Sequence, residues 1–119
     1  MNLIDAIQVH LDEGLTTPRN HSKVWLYCDD GEAYVGKSRR FLSDGGEPQW
    51  VVVNEIANIS VEPNGRGQGA FTRILQILKD RREPIYVESV INSRLRASLL
   101  KNGFSVVPHS NPPSLVWMP

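Results

Sequence analysis

The residues with the clearest capacity for chemistry form a glycine-rich turn between a predicted strand and a predicted helix. Gly65, Gly67 and Gly69 fall within five residues, and because they lack a Cβ they let the backbone approach a ligand closely. The helix that follows directs its free N–H groups and the positive end of its dipole into the turn. These features predict an anion site whose natural occupant is a phosphate.

Two well-known phosphate loops do not fit this turn. It lacks the Gly-Lys-Ser/Thr ending of a P-loop, which argues against a nucleoside triphosphate with magnesium. It also lacks the G-x-G-x-x-G spacing and the later acidic residue of a dinucleotide site. Two interpretations stay open: a pyrophosphate cradle built from backbone amides and Arg66, or a surface turn that only reverses the chain.

Hydrophobic periodicity and turn residues predict the elements that must position this turn. Phe71, Ile74, Leu75 and Leu78 have the spacing of a buried helix face. The predicted order is α-β-β-β-α-β-α-β-β, with helices at 3–13, 71–82 and 93–102 and strands at 23–28, 32–37, 50–61, 85–91, 104–107 and 115–118.

This order predicts one α/β (α+β) domain over residues 1–119, with a mixed sheet and helices on both of its faces. Residues 38–48 are interpreted as a polar connection, and Asp44-Gly45-Gly46 marks a turn within it. The strand 50–61 is about twice the usual length, so we expect a bulge or a break near Asn54.

Composition limits the class of protein. The chain has 119 residues, 40% of them hydrophobic, with 13 basic and 13 acidic side chains, so no overall field attracts nucleic acid or membrane. The N-terminal residues lack the basic region of a signal peptide, and the single cysteine, Cys28, fits a reducing compartment. We therefore expect a cytoplasmic protein. The three histidines lack metal-ligand spacing, so no metal is expected.

Two segments together resemble a known family. The run Val61-Glu62-Pro63-Asn64-Gly65-Arg66-Gly67-Gln68-Gly69 is similar to the V-x-P-x-x-R-G-x-G-x-G/A signature of the GNAT (Gcn5-related N-acetyltransferase) superfamily. The segment 92–104 resembles that family's N-x-x-A-x-x-x-Y-x-K-x-G-F helix, and the resemblance covers residues 50–107. It implies a GNAT-like sheet that splays between the strands at 50–61 and 85–91, with acetyl-CoA as the co-substrate.

The resemblance also implies roles for individual residues. Those expected to contact acetyl-CoA lie in the turn, on the strand before it and at the start of the later helix: Ile59, Ser60, Val61, Arg66, Gly67, Gln68, Gly69, Ala70 and Asn92. Glu55 is the expected general base, provided that burial raises its pKa. The family's thiol-protonating tyrosine falls on Leu99, so Tyr86 or a water is expected to replace it.

The resemblance implies transfer of an acetyl group to an amine by direct attack in a ternary complex, with no metal. The acceptor amine is open, either a small molecule or a protein, and a homodimer is compatible with the short N-terminal half. The alternative is a non-catalytic module that binds coenzyme A or regulates a protein partner. A nucleic-acid-binding protein is a third and weaker interpretation. The basic cluster at Lys37, Arg39 and Arg40 suggests contact with an acidic partner.

Overall fold

The computed structural model describes residues 1–15, 21–43, 45–61 and 69–119. Within these ranges the elements are α1 (Leu3–Asp12), β1 (Val24–Cys28), β2 (Gly31–Leu42), β3 (Gln49–Val61), α2 (Ala70–Asp80), β4 (Ile85–Val87), α3 (Ser93–Lys101), β5 (Ser105–Val106) and β6 (Leu115–Trp117). The element order matches the prediction. None of these helices is long and apolar enough to cross a membrane.

All six strands form one sheet in the order β1-β2-β3-β4-β6-β5. Only β3 and β4 run parallel, and the other neighbouring pairs are antiparallel. The fold is therefore α+β with a mixed sheet, as the coarse prediction stated. β3 and β4 run parallel because α2 carries the chain from the end of β3 back to the start of β4, and this pair lies at the centre of the strand order.

The two largest differences between predicted and observed strand boundaries lie at the ends of β2 and β4, and the other strand boundaries agree to within one residue. β2 reaches Leu42, so residues 38–42 are strand rather than polar connection. β4 ends at Val87 instead of residue 91, because Ser89 takes a positive φ of 50° and leaves the sheet. The predicted strand at 50–61 is one element, and its irregularity lies a few residues after Asn54.

The three helices pack side by side on one face of the sheet. Asp12 of α1 forms an ion pair with Arg81, just after α2, at 2.9 Å. Lys79 of α2 donates a hydrogen bond to the carbonyl oxygen of Asn102, just after α3, at 2.6 Å. The buried side chains of all three helices join one core with alternate residues of the strands: Leu3, Ile7, Leu11, Ile74, Leu75, Leu78, Leu99, Ala33, Val35, Ile56, Ile85, Val87 and Leu115.

The intervening strand residues point to the other face of the sheet, since side chains alternate along a strand. Leu42, Val53 and Tyr86 form a smaller cluster there. No helix of the described ranges covers this second face, which we call the open face. The prediction of helices on both faces is therefore wrong. All three helices serve the same core, and the open face is instead occupied by aromatic and charged side chains.

Candidate functional site

The central parallel pair is short, and the two strands then separate. Residues 54–56 of β3 pair with Ile85–Val87 of β4. One further contact follows, in which the backbone N–H of Glu88 donates to the carbonyl oxygen of Ile56 at 3.0 Å. Beyond it, the N–H of Val90 donates to the carbonyl oxygen of Pro113 at 2.7 Å. Residues 57–61 of β3 thus keep β2 on one side and have no partner strand on the other within the described ranges.

A β-bulge begins this unpaired part of β3. Val35 of β2 faces Ile56, whereas the preceding Tyr34 faces Asn58, so Ala57 is the extra residue. The bulge lies three positions after Asn54, near which it was predicted. Bulges bend a strand and redirect its side chains and backbone groups. Here the bulge occurs at the point where β3 loses its parallel neighbour, so it helps to open the sheet.

The next element along the chain after the unpaired segment is α2. Gly69 has φ 72° and ψ 24°, the left-handed conformation, and as a glycine it offers no side chain to cap the helix. Among the described residues no side chain is recorded as the cap of α2, and the helix dipole favours a negative charge at this end. Ala70 begins the helix. The predicted contacts of Arg66, Gly67 and Gln68 lie outside the described residues.

Asn92 has a structural function at the start of α3. Its side-chain oxygen accepts a hydrogen bond from the backbone N–H of Leu95 at 3.0 Å, which makes it the N-cap. Leu99 of α3, onto which the resemblance places a tyrosine, is completely buried in the core between the helices and the sheet. A hydroxyl group at that position would face apolar side chains rather than a ligand.

Glu55 lies on the open face, and two cations bind its carboxylate. Arg40 pairs with it in a bidentate manner, with Nε 2.9 Å from Oε1 and Nη2 2.8 Å from Oε2. Lys23 donates to Oε2 at 2.7 Å. The Glu55 side chain is fully buried beneath these partners. Lys23 directly precedes β1, so β1 contributes to the site as well as β2 and β3.

These ion pairs decide the charge state of Glu55. Burial alone would raise its pKa, but the hydrogen bonds from Arg40 and Lys23 together outweigh burial and hold the pKa below its ordinary value of 4.5. Glu55 therefore lacks the raised pKa that a general base at this position would need. The sequence alone does not show the two cations that reverse the effect of burial.

Tyr86 lies beside this ion-pair cluster. It is the register partner of Glu55 on the neighbouring strand, and the guanidinium of Arg40 lies over its ring at 4.5 Å from the centroid. Glu88 stands 3.5 Å from Lys23 at the point where β4 leaves the sheet. The structure thus brings together Glu55 and Tyr86, the two predicted catalytic residues, and adds Arg40 to them.

Lys23 and Arg40 were not predicted as site residues. Both basic ends of the cluster at residues 37–40 find their acidic partners within the chain, since Arg40 pairs with Glu55 and Lys37 with Glu83 at 3.2 Å. The sequence does show a basic cluster next to a strand that carries one internal carboxylate. Without the strand register, however, this pattern does not predict which basic side chain pairs with which carboxylate.

Comparison of the sequence with models of known protein families found no match, and comparison with curated proteins found none either. Within the described ranges, no group of three or more His, Cys, Asp or Glu residues is placed to hold a metal ion.

Proposed function

We propose that the protein is a GNAT-like, acetyl-CoA-dependent N-acyltransferase. The observation that carries this proposal is the edge of β3 at residues 57–61, which is unpaired within the described residues, opens at a bulge and is followed along the chain by the N-terminus of α2, where Gly69 offers no capping side chain. The edge of β3 suits an extended chain of amides, and the N-terminus of α2 suits a phosphate group. Coenzyme A carries both, in that order.

The pantetheine arm would lie along β3 as an added strand does. Its two amide groups would exchange hydrogen bonds with backbone groups of Ile59, Ser60 and Val61, as in β-augmentation. Residues 57–61 span about 13 Å at 3.3 Å per residue. The pyrophosphate would then reach the N-terminus of α2 at Gly69 and Ala70, with the contacts of Arg66, Gly67 and Gln68 proposed from the sequence.

The reaction would be a direct transfer between two bound substrates. The amine nitrogen attacks the thioester carbonyl carbon, a C–N bond forms, and the C–S bond breaks. One proton leaves the attacking nitrogen, and the departing thiolate of coenzyme A takes up one proton. A backbone N–H near residues 59–61 would stabilise the oxyanion of the intermediate.

The two candidate catalytic side chains contribute differently to this scheme. Glu55 keeps a lowered pKa while Arg40 and Lys23 bind it, so in this arrangement it is a poor base, and its carboxylate instead holds these two cations in position. Tyr86, next to it on β4, is the candidate proton donor. Loss of the amine proton to water would leave Glu55 as a positioning group.

A second candidate function is supported by the same ion pairs. A module that binds coenzyme A without turnover needs the free edge of β3 and the N-terminus of α2 but no free base. The pairing of Glu55 with two cations and the burial of Leu99 in the core favour this alternative. The two candidates agree on the cofactor and differ in the chemistry.

Calorimetry followed by mass spectrometry tests both. Acetyl-CoA is titrated into the protein, with adenosine 3′,5′-bisphosphate and pantetheine as control ligands. We expect acetyl-CoA to bind more tightly than either fragment, because it occupies the strand edge and the helix N-terminus together. No binding at millimolar acetyl-CoA would overturn the proposal.

Turnover is then read as a mass increase of one acetyl group on amines of a lysate incubated with protein and acetyl-CoA. Acetylated products that disappear in Tyr86→Phe support the transferase with Tyr86 as the acid. Cofactor binding without any acetylated product supports the non-catalytic module.

A further inference from the structure

A cleft of about 360 Å³ lies next to the ion pairs of Glu55 and shares Lys23 and Arg40 with them. Basic side chains dominate its lining: His21, Lys23, Arg39 and Arg40, together with Ser38. No acidic residue lines it in the described part of the chain. Such a donor-rich lining is complementary to an anion.

Ser38 gives the cleft a polar group with no other function. The residue is only 3% exposed, and its hydroxyl has no hydrogen-bond partner within the described ranges. Buried hydroxyl groups are nearly always paired, and an unpaired one calls for an explanation. A ligand that accepts a hydrogen bond from this hydroxyl supplies one.

Arg40 and His21 have donors to spare. A guanidinium has five N–H donors, and Glu55 accepts from only two of its nitrogens, Nε and Nη2. The Nη1 end is left for a second acceptor. The ring of His21 accepts from the backbone N–H of Lys23 through Nδ1 at 3.2 Å, so in the neutral ring Nε2 carries the proton and donates.

Two aromatic rings complete the cleft. Phe41 and Trp50 line it and contact each other, with ring centroids 5.4 Å apart. Both are more than half exposed, at 57% and 68%. Exposed aromatic rings beside a set of donors fit a ligand that combines an anion with an apolar or aromatic part.

The position of the cleft relates it to the proposed reaction. Trp50 lies about 23 Å along β3 from the bulge at Ala57, at 3.3 Å per residue, so the cleft is at the opposite end of β3 from the edge assigned to acetyl-CoA. Arg40 connects the two regions because it lines the cleft and also binds Glu55. The cleft is thus on the side from which an acceptor would approach.

We propose that this cleft binds the carboxylate of the acceptor, so that the acceptor is an amine that also carries a carboxylate, as an amino acid does. The identification of this ligand as the acceptor rests on the proposed function. The carboxylate would accept hydrogen bonds from Arg40 and Ser38.

The test measures binding to the full chain without acetyl-CoA, by calorimetry or amide NMR, with four probes. Phenylalanine carries both groups, 3-phenylpropionate only the carboxylate, and phenethylamine and phenylalanine amide only the amine. We expect phenylalanine and 3-phenylpropionate to bind at least about tenfold more tightly than the other two, since hydrogen bonds to a charged group are the strong ones. Equal binding of phenylalanine and phenethylamine would overturn the inference.

A conservative variant checks the location. Ser38→Ala removes a hydroxyl that has no partner to lose, so the variant keeps the fold. We expect the substitution to weaken the binding of both carboxylate probes about tenfold. Ser105→Ala, on the exposed strand β5, is the matched control and leaves them unchanged. Unchanged carboxylate binding in Ser38→Ala would contradict the assignment.

The two proposals fail separately. Carboxylate binding in a protein that does not bind acetyl-CoA would keep the anion cleft and overturn the transferase. Acetyl-CoA binding with no preference among the four probes would overturn the cleft assignment and keep the transferase.

Discussion

Replacing Arg40 with glutamine tests whether the ion pairs of the open face stabilise the fold. The change removes the bidentate partner of Glu55 and leaves a fully buried carboxylate with Lys23 alone. Loss of one partner from a buried pair costs about 3–5 kcal/mol. Because Arg40 is 32% exposed and Lys23 remains, we expect a smaller loss, about 2 kcal/mol.

Urea denaturation followed by tryptophan fluorescence measures this loss in free energy of unfolding. A loss of this size corresponds to a fall in melting temperature of about 10 °C for a chain of this length. The control is Arg94→Gln, an exposed arginine on α3, which should change the free energy by less than about 0.5 kcal/mol. Equal effects of the two substitutions would refute the argument that Arg40 stabilises a buried charge.

The pH dependence of stability checks the same pair independently. The pKa of Glu55 lies below 4.5 in the folded protein. Its ionised form therefore stabilises the fold at any pH above the pKa that Glu55 has in the unfolded chain. That contribution is lost as the pH falls through the folded-state pKa. We therefore expect wild-type protein to lose stability below about pH 4.5 more steeply than Glu55→Gln. Parallel profiles would contradict the lowered pKa.

Three further substitutions test other features of the structure. Gly36→Ala would place a Cβ 2.6 Å from backbone atoms of Lys23, so we expect the free energy of unfolding to fall by about 1–3 kcal/mol in the same urea assay. An unchanged free energy would show that β2 and the segment before β1 can move apart without cost. Leu99→Tyr should lose about 1–3 kcal/mol and gain no acetyl transfer, because the position is buried in the apolar core; a gain in turnover would instead place it at the site. Asn92→Ala should cost about 1 kcal/mol as the loss of a helix cap without changing affinity for acetyl-CoA, whereas a loss of affinity would show direct contact with the cofactor.

The elements were predictable from sequence where one face of each is buried. The helix from Ala70 was predicted because Ile74, Leu75 and Leu78 all enter the core. The extension of β2 to Leu42 was missed because Ser38 and Arg40 point to the open face, which no helix covers. Their polar character was interpreted as a loop, but it reflects the pairing of Arg40 with Glu55.

The site was predictable only in part, because ion pairs across a sheet depend on strand register. Glu55 and Tyr86 were both identified from their places on strands, yet the two cations that bind Glu55 are 32 and 15 residues away from it along the chain. Sequence spacing alone cannot show such contacts. Whether burial raises the pKa of Glu55 was therefore a condition that the sequence could not decide.

In the proposed complex, acetyl-CoA lies along the unpaired edge of β3 and reaches the start of α2. Two-dimensional amide NMR during a titration with acetyl-CoA can locate the ligand residue by residue, since each backbone N–H reports its own surroundings. We expect the largest shifts at residues 57–61 and at the first turn of α2 from Gly69, with small changes around Trp50. No shifts at millimolar acetyl-CoA, or shifts confined to the basic cleft, would contradict this placement.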